Sequence, residues 1–219
     1  MPQIAPFEKY VEQYEEWFME NRWVYEAELR AVRAMLPTGG HGLEIGVGTG
    51  RFAEPLGIRI GLDPSKRMRE IAQKRGIQVL DGVAEKLPFD DSSFDFALMV
   101  TTVCFVDDIY KALLEAHRVL SPGGFLIIGF VDRNSMLGQT YLDRQDQSVF
   151  YKEATFFSVD ELVDIMDQTG FINLIFKQTI FQSLSKTTRD EPVKSGHGEG
   201  AFVVIRGRKK QAEMMGAQK

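Results

Sequence analysis

The chain has 219 residues, 44% of them hydrophobic and 26% charged, which fits one α/β domain of ordinary globular composition. Its net charge of −5 argues against a surface that attracts nucleic acid or an anionic membrane. The single cysteine, Cys104, excludes a disulfide within the chain. The N-terminus has no signal-peptide pattern, and no run of about 18 apolar residues predicts a membrane span. We therefore expect a cytoplasmic protein that binds neither nucleic acid nor membrane.

Two amphipathic helices are predicted before the first strand. In residues 7–18, aromatic and apolar side chains recur at steps of three and four, with glutamates on the other face. An interruption is predicted at 20–22, and a second helical pattern ends before Pro37. The apolar face of this second helix is predicted to consist of Tyr25, Leu29, Val32 and Leu36. We predict that residues 1–37 form a helical cap on the domain.

From residue 42 onwards, short apolar runs alternate with amphipathic helices. The predicted strands are 42–46, 58–63, 77–81, 94–100 and 125–131. Helices are predicted between them at 64–76 and 107–120. Alternating strands and helices of this size imply a parallel sheet with right-handed crossovers. We take residues 42–131 as a cofactor-binding core.

The pattern changes after the fifth strand. Residues 132–157 are polar, aromatic and irregular, and they follow the carboxyl edge of the sheet, where ligands bind. The sequence SVDE at 158–161 is a capping box that opens a helix ending at Gly170. Two β-rich runs predict that a terminal strand pair completes the unit 158–207. Residues 208–219 are predicted to form a disordered tail.

Three glycines alternate with other residues directly after the first strand. Gly46, Gly48 and Gly50 lie in LEIGVGTGRF, residues 43–52, and such a turn lets backbone approach a ligand closely. Alone, the pattern is also compatible with a tight turn that binds nothing. Asp63 ends the second strand, beside this turn in a doubly wound sheet, where its carboxylate can accept hydrogen bonds from both hydroxyls of a ribose. Turn and acid together predict a nucleoside ligand.

The spacing of the glycines argues against a nicotinamide dinucleotide. A dinucleotide fingerprint needs G-x-x-G after its first glycine pair, whereas here a glycine comes one place early and Arg51 follows it. Glu44, at the end of the first strand, would repel a pyrophosphate but suits an ammonium group. An NAD(P)-dependent oxidoreductase remains an alternative at this point.

Four ordered motifs carry a family resemblance. They are LEIGVGTGRF, GLDPS, DGVAEKLPFDDSSFDFALMV and EAHRVLSPGGFLIIG. Over residues 42–130, the chain resembles class I S-adenosylmethionine-dependent methyltransferases, most closely the type 11 group, which includes quinone and small-molecule methyltransferases. The resemblance implies an α/β, Rossmann-like doubly wound sheet of seven strands, six parallel and the last antiparallel. It also implies in-line methyl transfer from S-adenosyl-L-methionine to a small-molecule acceptor. A module that binds this cofactor without catalysis is a further alternative.

The resemblance also implies a set of cofactor contacts. The turn glycines approach the methionine part, Glu44 holds its amino group and Asp63 binds the ribose. The predicted cofactor-binding residues are Glu44, Gly46, Gly48, Gly50, Asp63, Pro64, Val83, Ala84, Glu85, Thr101 and Thr102. Relatives commonly have an acid at the position of Val83, so the partner of the adenine amino group is open, with backbone groups or Glu85 as replacements.

The acceptor contacts are predicted on the first helix and in the insertion at 132–157. The candidates are Tyr10, Tyr14, Trp17, Arg133, Tyr141, Arg144 and Tyr151. Aromatic residues of helix 7–18 are expected to pack mostly on the sheet, while one or two also reach the acceptor. We predict that this helix closes over bound ligand as a lid.

A catalytic base is needed only if the acceptor must lose a proton. The candidates are Tyr14 and His197, of which the second lies in the hairpin between the last two strands. A solvated loop histidine is the simpler interpretation of His197. His41 and His117 are assigned structural roles, and no metal site is predicted.

Overall fold

The computed structural model describes residues 4–210, in which helices cover both faces of one sheet. The strands are β1 (Gly42–Ile45), β2 (Ile60–Leu62), β3 (Gln78–Leu80), β4 (Phe94–Val100), β5 (Leu120–Val131), β6 (Phe171–Thr179), β7 (Lys194–Ser195) and β8 (Phe202–Lys209). The helices are α1 (Ala5–Lys9), α2 (Val11–Glu20), α3 (Arg22–Arg33), α4 (Ala53–Leu56), α5 (Lys66–Lys74), α6 (Ile109–Val119), α7 (Met136–Asp143) and α8 (Val159–Gln168). None of these helices has the length and apolar composition that a membrane crossing requires.

The strand order is β3-β2-β1-β4-β5-β8-β6-β7. Strands β1 to β5 pair in parallel, and β8 lies antiparallel between β5 and β6. The predicted arrangement of six parallel strands and an antiparallel last strand is therefore confirmed. The count is eight instead of seven because β7, two residues long, adds to the outer edge of β6. A two-residue strand is too short to show an alternating pattern in the sequence.

Two apolar layers cover the faces of the sheet. Along β4, Phe96, Leu98 and Val100 enter the layer beneath α3, whereas Ala97 and Met99 enter the layer beneath α6 and α8. Successive side chains of a strand point to opposite faces, so a strand covered on both faces is apolar throughout. This packing explains why the apolar run at 94–100 predicts β4 with its observed ends.

The N-terminal helices differ from the prediction in their breaks and faces. The helix expected at 7–18 is divided into α1 and α2 at Tyr10, whose φ of −119° and ψ of 36° leave the helical region. The interruption predicted at 20–22 is confirmed at Asn21, where α2 ends. The residues of α3 that are buried are Val24, Ala27, Glu28, Ala31 and Val32, a stripe rotated away from the predicted one. Residues 1–3 of the predicted cap lie outside the described residues.

The insertion at 132–157, predicted to be irregular, contains α7. Ser135 caps this helix, its Oγ accepting a hydrogen bond from the Gly138 N–H at 3.0 Å. A Cβ at Gly138 would lie 2.2 Å from the Asp132 carbonyl oxygen, so a glycine within the helix permits this close approach. That glycine and the polar composition of the segment weaken the helical pattern in the sequence.

The end of the domain also differs from the prediction. Strand β8 continues to Lys209, whose Nζ donates to the carbonyl oxygens of His117 and Leu120, each at 2.6 Å. Residues 208 and 209 therefore belong to the sheet and not to a tail. Residues 211–219 lie outside the described residues.

Candidate active site

The carboxyl ends of β1, β2 and β4 open into a cavity of about 910 Å³. Helix α2 covers the cavity, and residues 141–151 form its far wall. The predicted site residues that line it are Tyr14, Trp17, Glu44, Gly46, Gly48, Asp63, Pro64, Val83, Ala84, Glu85, Thr101, Thr102, Tyr141, Arg144 and Tyr151. The structure thus brings cofactor and acceptor candidates together in one space.

The three glycines of the turn have different neighbours. Gly46 and Gly48 line the cavity, with φ values of +71° and +52°. A Cβ at Gly46 would lie 2.4 Å from Thr102 Cγ2. A Cβ at Gly50 would lie 2.4 Å from Ile77 Cδ1, on the side away from the cavity. Gly50 does not line the cavity, and the absence of a side chain there lets the turn pack against Ile77, before β3. Its contact with the cofactor stays a prediction.

Three further predicted residues lie outside the cavity lining. Tyr10 is half-buried between α1 and α2. Arg133 forms an ion pair with Glu161 at 2.9 Å, at the start of α8. His197 is exposed, and its ring packs on Phe176 of β6 with 4.9 Å between centroids. The pairing of β7 with β6 carries this hairpin to the sheet edge, which agrees with the simpler interpretation of His197 as a solvated loop histidine.

Asp63 is held by the backbone at the edge of the cavity. Its Oδ2 accepts a hydrogen bond from the Gly48 N–H at 2.8 Å, and its Oδ1 accepts one from the Ser65 N–H at 2.9 Å. Burial raises the pKa of Asp63 to about 6, although both N–H groups lower it. Each carboxylate oxygen has a second acceptor position, so the group can still receive hydroxyl donors from a ligand.

Glu44 is buried, with 2% of its surface exposed. Its Oε2 is the one buried side-chain polar atom in residues 4–210 that lacks a hydrogen-bond partner. Burial raises the pKa of Glu44 well above its usual value, the N–H of Ala53 lowers it, and the charge of Asp63 raises it further. An unpartnered buried carboxylate is costly, so this atom fits a ligand that presents an ammonium group.

Glu85 has a structural role at the adenine end of the predicted site. Its Oε1 accepts hydrogen bonds from the backbone N–H groups of Asp107 at 2.7 Å and Asp108 at 3.2 Å. The carboxylate therefore anchors the loop before α6 while also bordering the cavity. Val83, which lines the cavity beside it, presents an apolar surface.

Helix α2 is attached to the glycine turn by Glu15, which sequence reasoning missed. Glu15 accepts hydrogen bonds from Thr49 Oγ1 at 2.5 Å, from Arg51 and from Arg75 Nη2 at 2.7 Å. The helical pattern only indicated that the glutamates of this segment oppose its apolar face. The partners come from two distant parts of the chain, so no local signal identifies the contact.

Aromatic rings form the wall opposite the cofactor motifs. Tyr141 stacks on Tyr151 with 5.2 Å between centroids, and Tyr151 stacks on Phe105 at 5.7 Å. Phe7 contacts Phe105 at 5.0 Å and Phe150 at 5.4 Å. Phe105 and Phe150 were not predicted as site residues, although Phe105 closely follows Thr101 and Thr102 and Phe150 lies within the insertion at 132–157.

Glu28 is a second acid that the sequence analysis missed. It lies on α3, lines the cavity and is 7% exposed. Within residues 4–210, no hydrogen bond or ion pair reaches its carboxylate, and burial raises its pKa to about 8. The sequence contains one indication of this site: Glu28 lies among the apolar residues Val24, Ala27 and Ala31. The prediction missed it because it assigned the buried face of the helix to other residues.

Comparison with known proteins decides the family. Residues 43–128 match the family model described as a methyltransferase domain. A solved structure from Thermotoga maritima, described as a SAM-dependent methyltransferase and possible histamine N-methyltransferase, aligns with a TM-score of 0.92 and 58% identity, covering 94% of this chain and 99% of that one. The chain belongs to the S-adenosylmethionine-dependent methyltransferases. It is an enzyme, and its cofactor is S-adenosyl-L-methionine.

Two other relatives of this methyltransferase cover different shares of the chain. An uncharacterized protein of Methanocaldococcus jannaschii is 48% identical over 199 residues, 91% of this chain and 96% of its own length. The demethylmenaquinone methyltransferase of Chlorobaculum tepidum is 37% identical over 109 residues, 46% of this chain and 45% of its own length. The family decides against the nicotinamide-dependent alternative.

The attachment of α2 predicts how the methyltransferase closes. In Glu15→Gln, the amide retains one carbonyl acceptor but loses the charge that two arginines share, so α2 should open more readily. Hydrogen exchange in residues 11–20 should become faster than in the wild type, and S-adenosylmethionine should restore less protection there. Exchange in β5 should change little.

Glu12→Gln is the matched control for this measurement. Glu12 is on the same helix and pairs with Arg67 at 2.6 Å, but its side chain is 70% exposed. Exposed ion pairs contribute little to stability, so this variant should exchange like the wild type. Equal exchange in α2 for all three proteins would show that Glu15 does not hold the helix closed.

The wild type should lose stability as the pH rises because of Glu28, and Glu28→Gln should not show this loss. The pKa of Glu28 is raised from 4.5 to about 8 in the folded protein, which therefore retains a proton that the unfolded chain has released. The wild-type free energy of unfolding should fall by a few kcal/mol relative to the variant as the pH rises from about 4.5 to about 8. Urea unfolding at about pH 5 and about pH 9 measures this difference. If the free energy of unfolding changed by the same amount in the wild type and in Glu28→Gln between the two pH values, the raised pKa of Glu28 would be contradicted.

Proposed function

We propose that this methyltransferase acts on a small molecule that binds in the same cavity as the cofactor. One observation carries the proposal: the cavity of about 910 Å³ extends from the glycine turn to the aromatic wall beneath α2. Pockets for single drug-sized ligands are commonly about 300–1,000 Å³, so a nucleoside cofactor leaves room for a small acceptor. The cover formed by α2 disfavours a macromolecular acceptor.

The cofactor would occupy the end of the cavity formed by β1, β2 and β4. The unpartnered oxygen of Glu44 would accept from the ammonium group, and Asp63 would accept from the ribose hydroxyls. Gly46 and Gly48 would place backbone beside the methionine part. The adenine would lie against Val83, with Pro64, Ala84 and Glu85 at its border and Thr101 and Thr102 at the methionine end.

The protein's part in the reaction is to position the acceptor. Bound S-adenosylmethionine supplies a methyl group on a sulfonium sulfur, and in-line displacement needs the attacking atom held about 3 Å from that methyl carbon. Tyr14 lies between the two ends of the cavity, and burial above all raises the pKa of its phenol. Tyr14 therefore stays protonated and serves as a hydrogen-bond donor, not as a base.

The test is methyl transfer from labelled S-adenosylmethionine to a panel of acceptors. The relatives suggest two classes for the panel: histamine and other amines from the Thermotoga protein, and quinols from the demethylmenaquinone methyltransferase. We expect turnover of a small molecule with equal formation of S-adenosylhomocysteine. Label that enters only transfer RNA or protein would overturn the proposal.

A further inference from the structure

We propose that the acceptor is an organic cation and that Glu28 binds its positively charged nitrogen. This inference rests on the proposed function, since it requires a small acceptor in the cavity. It goes further by naming the substrate class and a specificity-determining residue on α3.

The position of Glu28 is imposed by the packing of α3. Val24 lies one turn before Glu28 and Val32 one turn after it, and both are buried against the sheet. Residues four apart share a helix face, so the carboxylate of Glu28 is directed to the same side as these valines. At that level of the helix the space beneath it is the cavity, and Glu28 borders it.

The Glu28 carboxyl borders the open space of the cavity and has no partner among the described residues. The residue is 7% exposed. A buried carboxyl without a partner stays protonated, because burial raises the pKa of Glu28 to about 8, and a cationic donor is what would stabilise its ionised form. A ligand that brings a positive N–H donor would complete the pair.

The acidic groups of the cavity fall into two sets. Burial is the main cause of the raised pKa values of Tyr14 and Tyr141. Beyond burial, Tyr14 is influenced by Asp63 and Glu44, whereas Tyr141 is influenced by Glu28. Burial above all raises the pKa of Tyr151 too, and Glu28 also influences this residue, which stacks on Tyr141, so we infer that Glu28 faces the aromatic wall, where the acceptor would bind.

The remaining lining also favours a cation. Among the described residues, two arginines line the cavity, and neither is placed to neutralise Glu28. Arg51 is engaged by Glu15, and Arg144 is exposed. The stacked rings of Tyr141 and Tyr151 add π faces, which attract cations. An anionic acceptor would be repelled by ionised Glu28, whereas an ammonium group both donates to its carboxylate and is attracted by its charge.

The experiment compares matched ligands with and without charge. Binding of 2-phenylethylamine and 2-phenylethanol, and of benzylamine and benzyl alcohol, is measured by calorimetry on the full chain saturated with S-adenosylhomocysteine. We expect the wild type to bind each amine more tightly than its alcohol. In Glu28→Gln, affinity for the amines should fall roughly 10- to 100-fold while that for the alcohols changes little.

Two further variants distinguish a binding role from a structural one. Glu26→Gln makes the same change two residues earlier, where the side chain pairs with Arg22 at 2.7 Å, and should bind like the wild type. Glu28→Asp retains the charge and should keep part of the preference for amines. S-adenosylmethionine affinity should be the same in all variants, which reports that the cofactor end is intact.

The outcomes separate this inference from the proposed function. Equal binding of amine and alcohol by the wild type, absence of amine binding, or a Glu28→Gln variant that retains the preference would overturn the role of Glu28. Turnover of a neutral small molecule unaffected by Glu28→Gln would overturn the inference but leave the proposed function standing. Methylation confined to macromolecules would remove the proposed function itself.

Discussion

Asp63→Ala is expected to weaken S-adenosylmethionine binding by roughly 10- to 150-fold, the equivalent of about 1.5–3 kcal/mol for hydrogen bonds to a charged group. Two effects contribute. The ribose hydroxyls lose their acceptor, and the N–H groups of Gly48 and Ser65 lose the oxygens that hold the turn in place. Asp63→Asn retains one carbonyl oxygen and should lose less affinity. Calorimetric titration of the folded variants measures both.

Asp81→Ala controls for the loss of an acid in the same neighbourhood. The Asp81 carboxylate and the Asp63 carbonyl both accept from Arg69 Nη1, but Asp81 is 70% exposed and does not line the cavity. Its removal should leave the dissociation constant of the cofactor unchanged. If Asp63→Ala behaved in the same way, Asp63 would have no part in the site.

Gly48→Val should reduce cofactor affinity by roughly 5- to 150-fold, because overpacking of a fitted site costs about 1–3 kcal/mol. A Cβ at Gly48 would lie 3.0 Å from Tyr14 Oη, within the space between the turn and α2. The φ of +52° disfavours any side chain and a β-branched one most.

Gly57→Val separates strain from obstruction. Gly57 has a φ of +76°, yet a Cβ there meets nothing within 4 Å. Both variants should lose stability in thermal unfolding, but only Gly48→Val should lose cofactor binding. Normal binding by Gly48→Val would reduce the turn to a structural element and remove the basis of the cofactor assignment.

The sequence by itself determined the architecture and the cofactor end of the cavity. Both are encoded by local signals: apolar runs such as 94–100, the capping box at Ser158, and glycines placed directly after a strand. Parallel strands bring their carboxyl ends to one edge, so Asp63 meets the glycine turn in any fold of this class. Local pattern and the topology it implies were therefore sufficient to predict the strands and the position of Asp63 beside the glycine turn.

Only the tertiary structure decided the acceptor end and the cover. The side of α3 that faces the cavity depends on how the helix packs on the sheet, and a rotation of about 100° exchanges Leu29 for Glu28. Glu15 meets partners 34 to 60 residues away, and His197 is carried from the site by a two-residue strand. Long-range packing determines each of these positions. The periodicity of one segment does not indicate how neighbouring segments are oriented against it.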